Sequence, residues 1–126
     1  MLDDRTVLPA DDPVQDYLIW TSKGNNLAWK ALLGKEREER TDENVSIYAA
    51  PARAKDVSGL PDTYIDVGAL DLFVYEDMEF ARRLTAAGVF AEFHLYPGVP
   101  HGFESARHTQ LAQAALSNRT KFLARY

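Results

Sequence analysis

The clearest patterning of apolar and polar positions lies in the second half of the chain. Thr63-Tyr64-Ile65-Asp66-Val67 is rich in β-branched and aromatic residues and reads as a strand, with Gly68 ending it. From Tyr75 to Ala87 the period turns helical: Met78, Ala81, Leu84 and Ala87 stand three apart, and Phe80 widens the stripe. Glu76, Asp77 and Glu79 fall in the first turns and Arg82 and Arg83 later, the order that a helix dipole favours. Gly88 then supplies a left-handed C-terminal cap. Phe90 to Tyr96 forms a second strand, stopped by Pro97-Gly98. A last helix runs from Thr109 to Ala124, with Leu111, Ala114, Ala115, Asn118 and Phe122 near one face. Strand, helix, strand, helix with short joints predicts an α/β fold: a βαβ unit with parallel strands and flanking helices.

Residues 1–56 are less regular. Asp11-Asp12-Pro13 is turn chemistry, because proline pushes its predecessor out of the helical region. Val14 to Trp20 fits a short helix or an extended segment equally well. Asn25 or Asn26 can cap a helix reaching Leu33, ended by Gly34 and carrying Leu27, Ala28, Ala31 and Leu32 as its apolar stripe. From Lys35 to Asn44 the chain is almost wholly polar, and it is predicted to be exposed and mobile. The expected organisation is one incomplete domain over 1–126, with 1–56 partly irregular and 57–126 forming the β-α-β-α part.

Composition narrows the class. With 126 residues, 46% hydrophobic and 26% charged, the chain reads as a single globular domain, neither disordered nor fibrous. No run approaches the roughly 18 to 20 apolar residues of a membrane span, and the first residues lack the pattern of a secretory signal. Nineteen acidic against fourteen basic residues give a net charge of −5, the wrong sign for a nucleic-acid binder. The absence of cysteine excludes a disulfide scaffold and thiolate metal sites, and suits a cytoplasmic location.

Functional groups of open α/β sheets gather beyond the carboxyl ends of strands. Two ionisable residues stand there: Asp71, four past Val67, and His101, five past Tyr96. Ends of neighbouring strands lie about 5 Å apart, so a carboxylate and an imidazole on adjacent loops can meet. An aspartate that accepts from one ring nitrogen fixes the tautomer of a catalytic base and stabilises its imidazolium. Spacing alone leaves two unrelated loop polars as an equal alternative.

The literal residues add more. The stretch from Leu60 to Asp71, Tyr75-Glu76-Asp77, the stretch from Ala81 to Val89, and Tyr96-Pro97-Gly98-Val99-Pro100-His101-Gly102-Phe103 closely resemble the C-terminal portion of the hormone-sensitive-lipase-like carboxylesterases of the α/β-hydrolase superfamily (fold-3). Met1-Leu2-Asp3-Asp4-Arg5 resembles the stretch after that family's sixth strand, and Tyr48-Ala49-Ala50-Pro51-Ala52 the approach to its seventh. By this resemblance Asp71 is the triad acid and His101 the general base, and the substrate is a small-molecule ester handled without cofactor or metal. Leu72, Phe73 and Val74 stand where the family usually has proline and then arginine.

One part of the family's pattern is missing. Its nucleophile is a serine in a Gly-x-Ser-x-Gly elbow, preceded by a His-Gly-Gly oxyanion loop. None of Ser22, Ser46, Ser58, Ser105 and Ser117 has glycine on both sides at that spacing, and His-Gly-Gly does not occur. The chain therefore reads as the back end of a larger enzyme, without roughly the first six strands, and inactive alone. The alternative is a non-enzymatic fold fragment or dimerisation module. An uncovered sheet edge invites pairing, and the family commonly dimerises through its last strand and helix. Phe90 to Tyr96 and the final helix are thus the expected self-association surface.

Bland readings serve the other conspicuous residues. His94, His101 and His108 recur every seven residues, but the intervening prolines exclude a continuous metal-binding helix face. His94 is expected to be a surface or satisfied polar residue, and Phe103 a packing anchor. Trp20 and Trp29 are read as packing residues, an acyl-pocket wall being the alternative. Asp66 should sit at an edge or near a basic partner, since burial unpaired is costly. Asp3, Asp4, Asp56 and Asp62 are read as turn and cap residues.

Overall fold

The computed structural model describes residues 1–126. Its centre is a two-stranded parallel sheet, β1 (Thr63–Leu70) and β2 (Ala91–Pro100), joined through helix α2 (Val74–Ala86). Helix α1 (Ser22–Leu33) precedes the sheet and α3 (Gln110–Leu123) follows it. The α/β class and the βαβ unit are as the patterning predicts.

Alternation along β1 decides which helix covers which face. Ile65 packs with Val57, Phe80, Leu84 and Val89, which puts α2 on that side. Its neighbours point the other way. The Tyr64 ring lies 5.5 Å from that of Phe122, and Asp66 accepts two hydrogen bonds from Arg119, at 2.7 and 2.8 Å, so α3 covers the opposite face. The expected basic partner of Asp66 is therefore Arg119. In register across the sheet, His94 stacks between Tyr64 and Tyr96 at centroid distances of 5.2 and 6.0 Å, with Nε2 bonded to Glu92 at 2.8 Å. It is the satisfied polar residue expected.

Both strands outrun their predicted ends. Gly68 does not stop β1, because what it provides is room: a Cβ there would lie 2.2 Å from the Val99 carbonyl oxygen. Nor do Pro97 and Gly98 stop β2. The register passes from Gly68↔Tyr96 to Leu70↔Pro100, so Pro97, Gly98 and Val99 form a bulge opposite Ala69. A bulge accommodates a residue without an N–H and a glycine at φ 68°.

Helix ends follow local chemistry. Gly88, at φ 77°, closes α2 with bonds from Gly88 N–H to Thr85 O and from Val89 N–H to Leu84 O. Gly34 ends α1 at φ 66° as predicted, but Thr21 caps its start by accepting from Gly24 N–H. Asn25 is therefore inside the helix, not at its cap. The predicted stripe of α1 is also displaced. Leu27 and Leu32 are exposed, whereas Asn25 and Trp29, one turn apart, are buried. In α2, Met78 is exposed, and Glu76 and Asp77 share the buried face with Phe80, Ala81 and Leu84. In α3 the buried positions are Ala112, Ala115 and Phe122, with Leu111 and Ala114 outside. Val14 to Trp20 contains a short 3-10 turn, Gln15–Tyr17.

Two arginines tie the first half down. Arg40, in the segment expected to be exposed and mobile, is buried and donates to the Asp4 carbonyl at 3.1 Å and to Asn26 Oδ1 at 3.1 Å. Arg53 grips the Asp4 carboxylate with two parallel bonds of 2.6 and 2.9 Å and reaches Asp42 at 2.6 Å. Asp4 lies in a turn, as expected, and its carboxylate is also half of a buried ion pair. Its side chain is 0% exposed and that of Arg53 3%. Arg53→Ala leaves that charge buried and unpaired, so it is expected to cost about 3 to 5 kcal/mol. Urea unfolding checks this, and a loss under 1 kcal/mol would show the carboxylate solvated.

Candidate active site

The sheet's carboxyl end holds the site. Asp71 follows β1 by one residue and His101 follows β2 by one, so both side chains emerge where the strands stop. Asp71 is 4% exposed, and its Oδ1 accepts from Phe73 N–H at 3.1 Å in the turn entering α2. Its Oδ2 lies 2.9 Å from His101 Nδ1. A carboxylate only accepts, so Nδ1 carries a proton, and whenever the ring is neutral its lone pair is on Nε2. Nε2 has no hydrogen-bond partner in the chain, and the His101 side chain is 43% exposed.

Three aromatic residues support the loop. Phe73 meets the His101 ring edge-on at 5.4 Å, and Trp20 stands 6.1 Å away at a tilt of 42°. Phe103 packs on Tyr96 at 5.2 Å, the anchoring role expected of it. Leu72 and Phe73, the two residues after Asp71, are buried with Leu8 in a cluster that Val14, Leu18 and Trp20 flank. Trp29 is fully buried among Val45, Ala50 and Leu33, a packing residue away from the site. Trp20 differs: it borders the imidazole.

A cleft of about 560 Å3 opens beside His101, between the histidine loop and the start of α3, with Ile19, Val99, Phe103 and Leu111 on its walls. No carboxylate, lysine or arginine lines it, so it suits a neutral, apolar group. On the other side a smaller cavity of about 150 Å3 touches Asp66, Asp71, Asp77 and Arg119.

Asp77 was legible only as a dipole-complementing acid, yet it is buried. Burial pushes its carboxyl up to about 7, and Glu76 beside it adds to the rise. Burial also raises Glu76, against the hydrogen bonds it accepts from Thr6 Oγ1 and Leu2 N–H. The folded chain thus holds the Asp77 proton to higher pH than the unfolded chain, whose aspartates release theirs near about 3.9. Stability is present below that value and is lost as pH rises toward 7. Asp77→Asn is expected to stabilise the chain at pH 8 and change little at pH 4, read by urea midpoints. Equal gains at both values would assign the effect to packing.

The places of Phe73 and Asn25 around the site escaped sequence reasoning, which reads Asn25 as a helix-cap candidate and Phe73 only as part of the loop after Asp71. The available signal for Asn25 was its place within a helical stretch, which a side chain that competes for backbone bonds disfavours unless something else holds it. No helix is long and apolar enough to cross a membrane.

Parallel strands joined by a helix, with polar groups collected past their carboxyl ends, put the chain in the α/β class whose sites are built at that edge. A family model described as "alpha/beta hydrolase fold" matches residues 1–105. The chain belongs to that family, the α/β-hydrolase fold-3 proteins. A solved bacterial heroin esterase is similar at 33% identity and a TM-score of 0.76, over 94% of this chain and 37% of that one. Esterase LipW from Mycobacterium marinum matches at 29% identity and a TM-score of 0.79, over 98% of this chain and 37% of its own. A hormone-sensitive lipase from a metagenome library shares the fold at 20% identity and a TM-score of 0.77, over 98% of this chain and 40% of that one. The chain thus spans well under half the length of these structures. No curated protein matches it.

Proposed function

We propose that this chain carries the acid–base half of a serine-type carboxylic ester hydrolase, with Asp71 and His101 as two members of a Ser-His-Asp triad. The single observation that carries this is the 2.9 Å bond between His101 Nδ1 and Asp71 Oδ2, with Nε2 left open. In that role Nε2 takes the proton from a serine hydroxyl as the oxygen attacks the ester carbonyl. Asp71 stabilises the imidazolium so formed. The same proton then passes to the departing alkoxide, and a second cycle with water releases the acid. The substrate class is a small-molecule ester, and neither metal nor cofactor enters these steps.

The attacking serine and the oxyanion donors belong to neither a motif nor a contact of this chain. None of its five serines bonds to His101. The isolated chain is therefore expected to hydrolyse a p-nitrophenyl ester of a short acid no faster than buffer. Turnover that disappears on His101→Ala would overturn this. The positive arm is a chimera in which the chain replaces the matched 37% of the bacterial heroin esterase. Ester turnover by the chimera supports the proposal, and a folded but inert chimera counts against it.

The second reading, a fold fragment that associates, is favoured by uncovered apolar surface. β2 has a neighbour on one edge only, and Phe90, Leu95, Leu123 and Tyr126 are 54, 44, 71 and 76% exposed. Self-association is proposed through Phe90 to Tyr96 and α3. Sedimentation should show dimers that Leu95→Glu converts to monomers; a monomeric parent chain would refute it.

A further inference from the structure

Asn25 is 1% exposed and its amide is used at both ends. Its Nδ2 donates to the Thr6 carbonyl at 3.3 Å, and its Oδ1 accepts from the Trp20 indole N–H, also at 3.3 Å. Trp20 comes just before the Thr21 cap of α1, outside any regular element, so α1 itself does not fix its ring. The centroid of that ring lies 6.1 Å from that of the His101 imidazole, and Phe73, in the hydrophobic cluster that Trp20 flanks, meets the imidazole edge-on at 5.4 Å. A chain of contacts thus runs Thr6, Asn25, Trp20, His101.

We propose that Asn25 is a positioning residue: it clamps the Trp20 indole against the imidazole and so holds His101 in the orientation that turns Nδ1 onto Asp71. The need is physical. One hydrogen bond leaves an imidazole free to swing about its side-chain torsions, whose terminal rotation is broad. The Nδ1–Asp71 bond fixes one point of the ring, and the aromatic neighbours limit what remains. An unanchored indole would choose its own rotamer; the bond to Asn25 selects one. A buried asparagine satisfied at both ends specifies a single arrangement, since any other leaves a polar atom without a partner. The catalytic meaning of the clamp rests on the proposed function, but its effect on the ring does not.

The test reads the ring directly. In the 15N-labelled 126-residue chain, the His101 Nδ1 proton, assigned by its loss in His101→Ala, reports the bond to Asp71 through its exchange with water. Asn25→Ala is expected to speed that exchange about fivefold, the factor matching an ordinary neutral hydrogen bond. Trp20→Phe keeps an aromatic ring and removes the N–H, and should do the same. The double variant should match Trp20→Phe alone, because Asn25 acts through the indole. Additive effects would overturn the proposal, as would unchanged exchange in a folded Asn25→Ala. Should Asn25→Ala lose its dispersed spectrum, Trp20→Phe decides: unchanged exchange there refutes the clamp. None of these readouts involves hydrolysis, so an inert chimera with the predicted exchange would sink the esterase reading and leave the clamp standing.

Discussion

In an active chimera, His101→Ala is expected to lower kcat about a millionfold, and Asp71→Asn about ten-thousandfold, with KM little changed in either. The first figure follows from removing the group that accepts and returns the serine proton, after which only binding and the oxyanion donors remain. The second follows from the geometry at Nδ1. The Asp71 carboxylate accepts there at 2.9 Å and leaves Nε2 bare. An asparagine amide can turn its NH2 toward the same nitrogen, drive the proton to Nε2 and so remove the lone pair the reaction needs. Ten-thousandfold is about 5.5 kcal/mol of barrier, far more than a packing change around a single loop supplies. Both residues act on the proton in flight rather than on bound ester, so the loss should appear in kcat. Steady-state kinetics on a p-nitrophenyl ester provides the comparison. Losses below about tenfold for both variants would mean that another base serves the serine.

Asp71 and His101 were legible as neighbours because each follows a strand with a strong local signature, while the roles proposed for them came only from the resemblance. Thr63 to Val67 and Phe90 to Tyr96 are apolar and β-branched enough to be found by pattern alone, and parallel neighbours must end side by side. The supports of the dyad were hidden for a different reason. Trp20 meets His101, and Asn25 meets Thr6, only through contacts that join distant stretches of chain, and no periodicity encodes those. The same holds for Arg40, Arg53, Glu76 and Asp77. A charged residue reads as solvent-facing until its partner is known, and the partners of Arg53 lie 49 and 11 residues away. The strand ends were misjudged because Gly68 and Pro97 usually mark stops; whether they do depends on what approaches from the other strand.

Gly68→Ala should be the most damaging single methyl in the sheet, costing about 3 kcal/mol. The added Cβ would sit 2.2 Å from Val99 O, 3.0 Å from Val99 C and 3.1 Å from Pro100 O. All three are backbone atoms, so no side-chain rotation can relieve the overlap; one strand must move. The segment that has to give is the end of β2, and the next residue is His101. The substitution therefore strikes stability and site together. Gly59→Ala is the matched control: it adds the same methyl at φ 74°, with nothing within 4 Å. Its cost is the left-handed backbone alone, about 1 kcal/mol. Urea midpoints should separate the two variants by about 2 kcal/mol. In the folded fraction of Gly68→Ala, the Nδ1 proton of His101 should exchange faster than in Gly59→Ala, since β2 has drawn away from Asp71. Equal midpoints and equal exchange would mean that the strands part freely at that point, and the placement of His101 would then owe nothing to the glycine opposite its loop.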